Sequence, residues 1–96
     1  MELERAFGQA LKFHRLRAGL SQEGFSLVSS RTYMSTLERG LKSPTLLKVN
    51  EIASVIGVHP LSILTSCYLL NDDSLTLEEL FSRIRQEVGA LDAQTD

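Results

Sequence analysis

Ser21-Gln22-Glu23, followed by Arg31-Thr32-Tyr33-Met34-Ser35-Thr36-Leu37-Glu38-Arg39-Gly40, is the stretch on which the fold turns. Ser21 and Gln22 open a helix with a hydroxyl and an amide that can cap it and reach a phosphate. Ser30 is placed to cap a second short helix, and Gly40 ends it. In that helix Met34 and Leu37 can face inward, while the leading residues are polar and can donate hydrogen bonds. Apolar anchors behind and hydrogen-bonding side chains in front are how a helix that enters a DNA groove is built. The two segments read as the second and third helices of a helix-turn-helix.

Helical periodicity continues on both sides. Upstream, residues 3–18 set Leu3, Phe7, Ala10, Leu11 and His14 at three- and four-residue steps, and Gly19 stops the helix before the anchor Leu20. The second helix is expected over residues 22–28 with Phe25 inward, and Ser29-Ser30 as the turn. Downstream, Ser43-Pro44 predicts the start of a fourth helix to residue 56, with Leu47, Val49, Ile52, Ala53 and Ile56 inward and Gly57 as its stop. His59-Pro60 opens a fifth helix to residue 70, carrying Leu61, Ile63, Leu64, Cys67, Tyr68 and Leu70. That helix is apolar nearly all round, so it needs a second buried face.

After the polar break at residues 71–74, Thr76-Leu77-Glu78-Glu79 has the form of a capping box. A sixth helix over residues 77–88 carries Leu77, Leu80, Phe81, Ile84 and Val88 on one stripe. The stripe is either a lid over the fifth helix or part of a dimer interface, and the spacing leaves both open. The tail from Gly89 is expected to fray. No strand-like alternation or internal repeat is evident. The chain reads as all-α, with residues 1–70 as one five-helix domain and residues 71–96 as an acidic helix and tail for dimerisation.

Ninety-six residues at 43% hydrophobic content support one small core. The single cysteine, Cys67, excludes an internal disulfide and a four-cysteine zinc site, and reads as a small buried hydrophobe. His14 and His59 are far apart with no cysteine or carboxylate cluster around either, so both read as structural, and no metal or cofactor is expected. Ser21, Ser29 and Ser30 lack a glycine-flanked elbow and a base, so catalysis is not expected. No apolar run reaches the roughly 18 residues of a membrane span, and the N-terminus lacks the form of a signal peptide; a cytoplasmic protein without membrane contact is expected. No small-molecule site is visible.

The net charge of −2 conceals a division. From Lys12 to Lys48 seven bases face two acids, a local balance of +5; from Asp72 to the end seven acids face two arginines, a balance of −5. A phosphate backbone responds to the local field, so the first half is the candidate DNA face.

Residues from about Phe7 to Leu64 resemble the Xre-family, lambda-repressor-like helix-turn-helix domain. The resemblance lies in Arg15-Leu16-Arg17-Ala18-Gly19-Leu20-Ser21-Gln22-Glu23, in Arg31 through Gly40, in Ser43-Pro44-Thr45-Leu46, in Ile52-Ala53 and in Ile56-Gly57-Val58. Arg-Thr-Tyr followed by an apolar residue and Ser is similar to the controller proteins of restriction–modification systems. The family pattern has two more residues between Phe25 and Met34, including a turn glycine. Here either the second helix is shorter or the turn is tighter.

The resemblance implies base contacts in the major groove from Ser30, Arg31, Thr32 and Ser35, with Arg31 as the leading reader because its planar fork matches guanine O6 and N7. It implies a phosphate contact from Gln22, helped by the dipole of its helix, and backbone contacts from Tyr33, Thr36, Lys42, Ser43 and Arg17, with Lys12 as a further candidate. Gln22 also reads as an ordinary cap, Tyr33 as a packing residue and Lys12 as a solvated charge. Arg15 and Glu38 sit where related domains hold a partly buried ion pair. Leu61, Leu64, Tyr68, Leu77, Leu80, Phe81 and Ile84 are the expected dimer surface.

The expectation is a sequence-specific transcriptional regulator that binds a palindromic operator on double-stranded DNA as a homodimer. The rival is a protein-interaction module, such as an antitoxin or adaptor whose acidic last helix holds a protein partner. A sequence-indifferent architectural binder is disfavoured by the low total basicity.

Overall fold

The computed structural model describes residues 1–94, and among them every regular element is helical. Five α-helices are present: α1 (Leu3–Arg17), α2 (Arg31–Glu38), α3 (Leu46–Ile56), α4 (Pro60–Asn71) and α5 (Leu77–Gln94). A four-residue 3-10 helix, Gln22–Phe25, stands between α1 and α2.

The core forms where α1 packs on α4 and, at its N-terminal half, on α2. Ala6, Ala10 and Leu11 of α1 are fully buried with Phe25, Met34, Leu37, Ile52, Ala53 and Ile63, and Phe7, Val49 and Cys67 are nearly so. Gly8 explains how α1 and α2 approach so closely. A Cβ there would lie 2.5 Å from the carbonyl oxygen of Glu38 and 2.6 Å from that of Leu37, which no side chain can occupy. Gly40, at φ 74°, has its α-carbon side against Arg5 of α1 at the same contact.

The expected second helix is shorter than its pattern. Beyond the 3-10 turn, Val28 N–H and Ser29 N–H both return to the carbonyl of Phe25, at 2.9 and 2.8 Å. Phe25 is the segment's one buried anchor, Leu27 is 98% exposed, and Gly24 and Ser26 are poor helix formers. A short segment with one fully buried anchor gains too little from a further helical turn.

Caps set the other boundaries. Ser30 Oγ accepts from Tyr33 N–H at 3.1 Å to open α2. The fourth expected helix starts later than Ser43-Pro44 suggests: Thr45 Oγ1 accepts from Lys48 N–H at 3.1 Å and makes Leu46 the first helical residue. Leu46 and Leu47 consequently point to solvent, so Leu47 is not the inward residue its spacing implied. His59 Nδ1 accepts from Leu61 N–H at 3.0 Å, and Pro60 begins α4. Thr76 and Glu79 form the reciprocal capping box, with Glu79 N–H to Thr76 Oγ1 at 3.1 Å and Thr76 N–H to Glu79 Oε1 at 3.2 Å.

The last helix continues past Val88 to Gln94, where fraying from Gly89 was expected. One internal glycine costs only about 1 kcal/mol, and Ala90 and Leu91 favour continuation. This helix makes only marginal contact with the rest of the fold. The radius of gyration, 14.5 Å, exceeds the roughly 12.5 Å of a compact chain this long, consistent with a helix that stands off. No single helix among the described residues is long and apolar enough to cross a membrane.

Candidate nucleic-acid interface

Met34 and Leu37 tie α2 into the core and leave Arg31 and Thr32 exposed and Ser35 half-buried on its outer side. Arg31, Thr32 and Ser35 line a shallow open depression together with Gln22 and Arg39. Four of these five are among the contact residues expected from the sequence. Arg39 is not. Its position was legible, since residues 32, 35 and 39 lie at three- and four-residue steps along one face of a helix. Arg39 Nε makes only a long hydrogen bond, 3.4 Å, to the carbonyl of Ser35 in its own turn, which leaves most of its donors to solvent.

Arg31 is not unpartnered. Its Nη1 lies 3.1 Å from Oε1 of Glu23, and both side chains are 69% exposed. An exposed pair of this kind is weak, so the guanidinium can exchange Glu23 for a stronger acceptor at little cost.

Gln22 is held inward. Its Nε2 donates to Glu38 Oε1 at 3.2 Å, which leaves one amide N–H for another acceptor. The helix that carries Gln22 is a single 3-10 turn, and Ser21 makes no side-chain cap to it. So short an element has little macrodipole, and the expected dipole assistance at Gln22 falls away.

Beneath the depression, Arg15 and Glu38 form a two-pronged pair: Nε to Oε2 at 2.6 Å and Nη2 to Oε1 at 2.9 Å. Arg15 Nη1 donates to the carbonyl of Leu20 at 2.9 Å. These bonds link α1, the turn after it, the 3-10 helix and the end of α2 into one network. Bonding to Glu38 raises the Arg15 pKa above its ordinary value against the opposing effect of burial. Among the described residues no buried side-chain polar atom lacks a partner.

The remaining expected contacts lie apart from the depression. Tyr33 is half-buried and packs against the core. Thr36 donates its hydroxyl to the carbonyl of Thr32 at 2.9 Å and keeps only its acceptor lone pairs for another group. Lys42 and Ser43 are exposed in the loop after α2, at the rim of an apolar hollow of about 280 Å³ between α1, that loop and α4. Arg17 is exposed beside a different hollow, with His14, Ile56, Val58 and Ser62. Lys12 is exposed on α1. Lys48, which the sequence did not mark as a site residue, bonds the carbonyl of Val28 and pairs with Glu51 at 3.2 Å, so it braces the turn before α2. No cluster of metal-ligating side chains occurs among the described residues.

The chain is similar to an uncharacterized helix-turn-helix-type transcriptional regulator, y4dJ, of Sinorhizobium fredii (strain NBRC 101917 / NGR234). The two are 33% identical over 67 residues, which is 68% of this chain and 87% of the relative. The chain belongs to the helix-turn-helix-type transcriptional regulators. No family model matches it. In this regulator residues 26–30 join the 3-10 helix to α2.

Proposed function

We propose that this regulator binds double-stranded DNA sequence-specifically as a homodimer of the Xre, lambda-repressor-like type, similar to restriction–modification controllers. The depression that joins Gln22, Arg31, Thr32, Ser35 and Arg39 carries this reading, because it gathers donors on the outer face of a capped helix anchored from behind. Arg31, Thr32, Ser35 and Ser30 read base edges, with Arg31 suited to a guanine. Arg39, Lys42, Ser43, Gln22, Arg17, Tyr33 and Thr36 are the candidates for backbone contact, which supplies register and most of the affinity. Two copies related by a two-fold axis would read half-sites about 34 Å apart on a palindromic operator. The dimer surface is the outer face of α4 and the stripe of α5, where Leu61, Tyr68, Leu77, Phe81 and Ile84 are exposed and Leu64 and Leu80 half-buried.

The test is a binding selection on random duplex DNA, with the molar mass of the protein in solution. Enrichment of a palindrome by a dimeric protein supports the proposal. Absence of enrichment at low salt sinks it and favours the protein-interaction reading, for which the exposed apolar stripe of acidic α5 is the motivating observation.

A further inference from the structure

Helix α5 carries a seam that its own domain leaves largely uncovered. Leu77, Phe81, Ile84, Val88 and Leu91 follow one another at alternating steps of four and three residues, and each is 40–60% exposed. That alternation is the signature of a helix whose apolar line faces another helix along its length. Eighteen residues give a rod of about 27 Å. One flank of the seam, Leu80, Arg83 and Glu87, lines a groove toward α4, with Ile84 of the seam at its edge. The other flank carries Glu78 and Arg85, both exposed, and neither has an ion-pair partner among the described residues.

Those two charges decide what fits. When two such helices run antiparallel, residues of the same flank face each other across the seam. The register that sets Leu77 against the partner's Val88 and Phe81 against the partner's Ile84 brings Glu78 against the partner's Arg85, twice by symmetry. Sliding by a heptad in one direction opposes Arg85 to the partner's Arg85, and in the other direction Glu78 to the partner's Glu78. A parallel pair sets Arg85 against the partner's Leu80 and leaves Glu78 and Glu87 without an opposite charge. We propose that α5 pairs antiparallel with α5 of a second copy of this chain, with Glu78 of each copy against the partner's Arg85. The pairing rests on the dimeric reading above and adds the orientation and register of its interface. Like charges across the seam disfavour the competing registers, as charged flanks do in helical pairs generally.

The full-length chain and its variants Glu78→Arg and Arg85→Glu, alone and mixed in equal amounts, would be followed by sedimentation and native mass spectrometry. Circular dichroism would check that each is folded. The expected result is a dimeric parent, single variants with dimer dissociation constants raised about tenfold or more, and a mixture that recovers dimer as the heterodimer. Dimers unaffected by either substitution would overturn the α5 pairing and leave the dimeric reading standing. Weakened variants that do not rescue one another would overturn the antiparallel register. A parent that stays monomeric at high concentration would overturn the dimeric reading and the pairing together, and would assign the seam to a different protein.

Discussion

Arg15 and Glu38, 23 residues apart, meet through two hydrogen bonds of 2.6 and 2.9 Å between α1 and the end of α2. The side chains are only 9% and 5% exposed, so each charge depends on the other. Burying such a pair adds little net stability, but orphaning one member is costly. Glu38→Ala should therefore destabilise the fold by about 3 kcal/mol, with the double variant Arg15→Met/Glu38→Leu much closer to the parent. Urea unfolding of the three proteins decides it; equal losses in the single and double variants would show that the pair contributes packing alone.

The contact at Gly8 is the least forgiving position in the fold. A methyl group there must displace the backbone carbonyls of Leu37 and Glu38, which cannot rotate aside as a side chain would. Gly8→Ala should cost about 1–3 kcal/mol or more, although alanine favours helices elsewhere. A variant as stable as the parent would mean that α1 and α2 can part without penalty. In that event DNA binding, measured on the same protein, should still fall.

Arg31 and Arg39 flank one depression yet should behave differently on DNA. Arg31→Ala should weaken specific binding by about 1–3 kcal/mol and spare non-specific binding. Arg39→Ala and Lys42→Ala should lower affinity on every sequence and reduce the salt slope by about one unit each. Fluorescence anisotropy on operator and scrambled duplexes, over a salt series, separates the two roles. Equal losses on both duplexes for Arg31→Ala would make it a phosphate contact.

Glu23 holds Arg31 at 3.1 Å and, on the proposed reading, would compete with DNA for it. Glu23→Gln removes one negative charge beside Arg31 and releases the guanidinium. Affinity should rise on operator DNA without loss of stability, since the exposed pair is worth about 0–1 kcal/mol. Unchanged or weaker binding would show that Glu23 positions Arg31.

His14 gives the fold a modest dependence on pH. Burial lowers its pKa below the ordinary 6.5, aided by Arg17 and opposed by a hydrogen bond to the Ser62 backbone. The ring also sits 2.8 Å from Ser66 Oγ. A base whose pKa is lowered on folding contributes stability that is complete above the unfolded value and lost as pH falls through the folded one. The parent should lose stability as the pH falls below about 6.5, and His14→Gln should lose less. Parallel pH profiles for the two proteins would remove His14 as the cause.

Local chemistry made much of this chain readable in advance. Ser30 opening α2, His59-Pro60 opening α4, and the reciprocal bonds of Thr76 and Glu79 all join a side chain to backbone within three residues. Such bonds close whatever the rest of the chain does. The apolar spacing on α1, the basic and acidic halves and the seam on α5 are likewise written in residue order. Packing decided the rest. Phe25 is the only fully buried residue of its segment, and a patterned helix became one 3-10 turn, while Thr45 rather than Ser43 caps α3. Gln22 turned to Glu38, Arg31 to Glu23, and Arg39 joined the depression, each through a partner or neighbour on another turn or element. Side-chain partners drawn from distant segments depend on how close the backbones come, and here Gly8 sets that distance between α1 and α2.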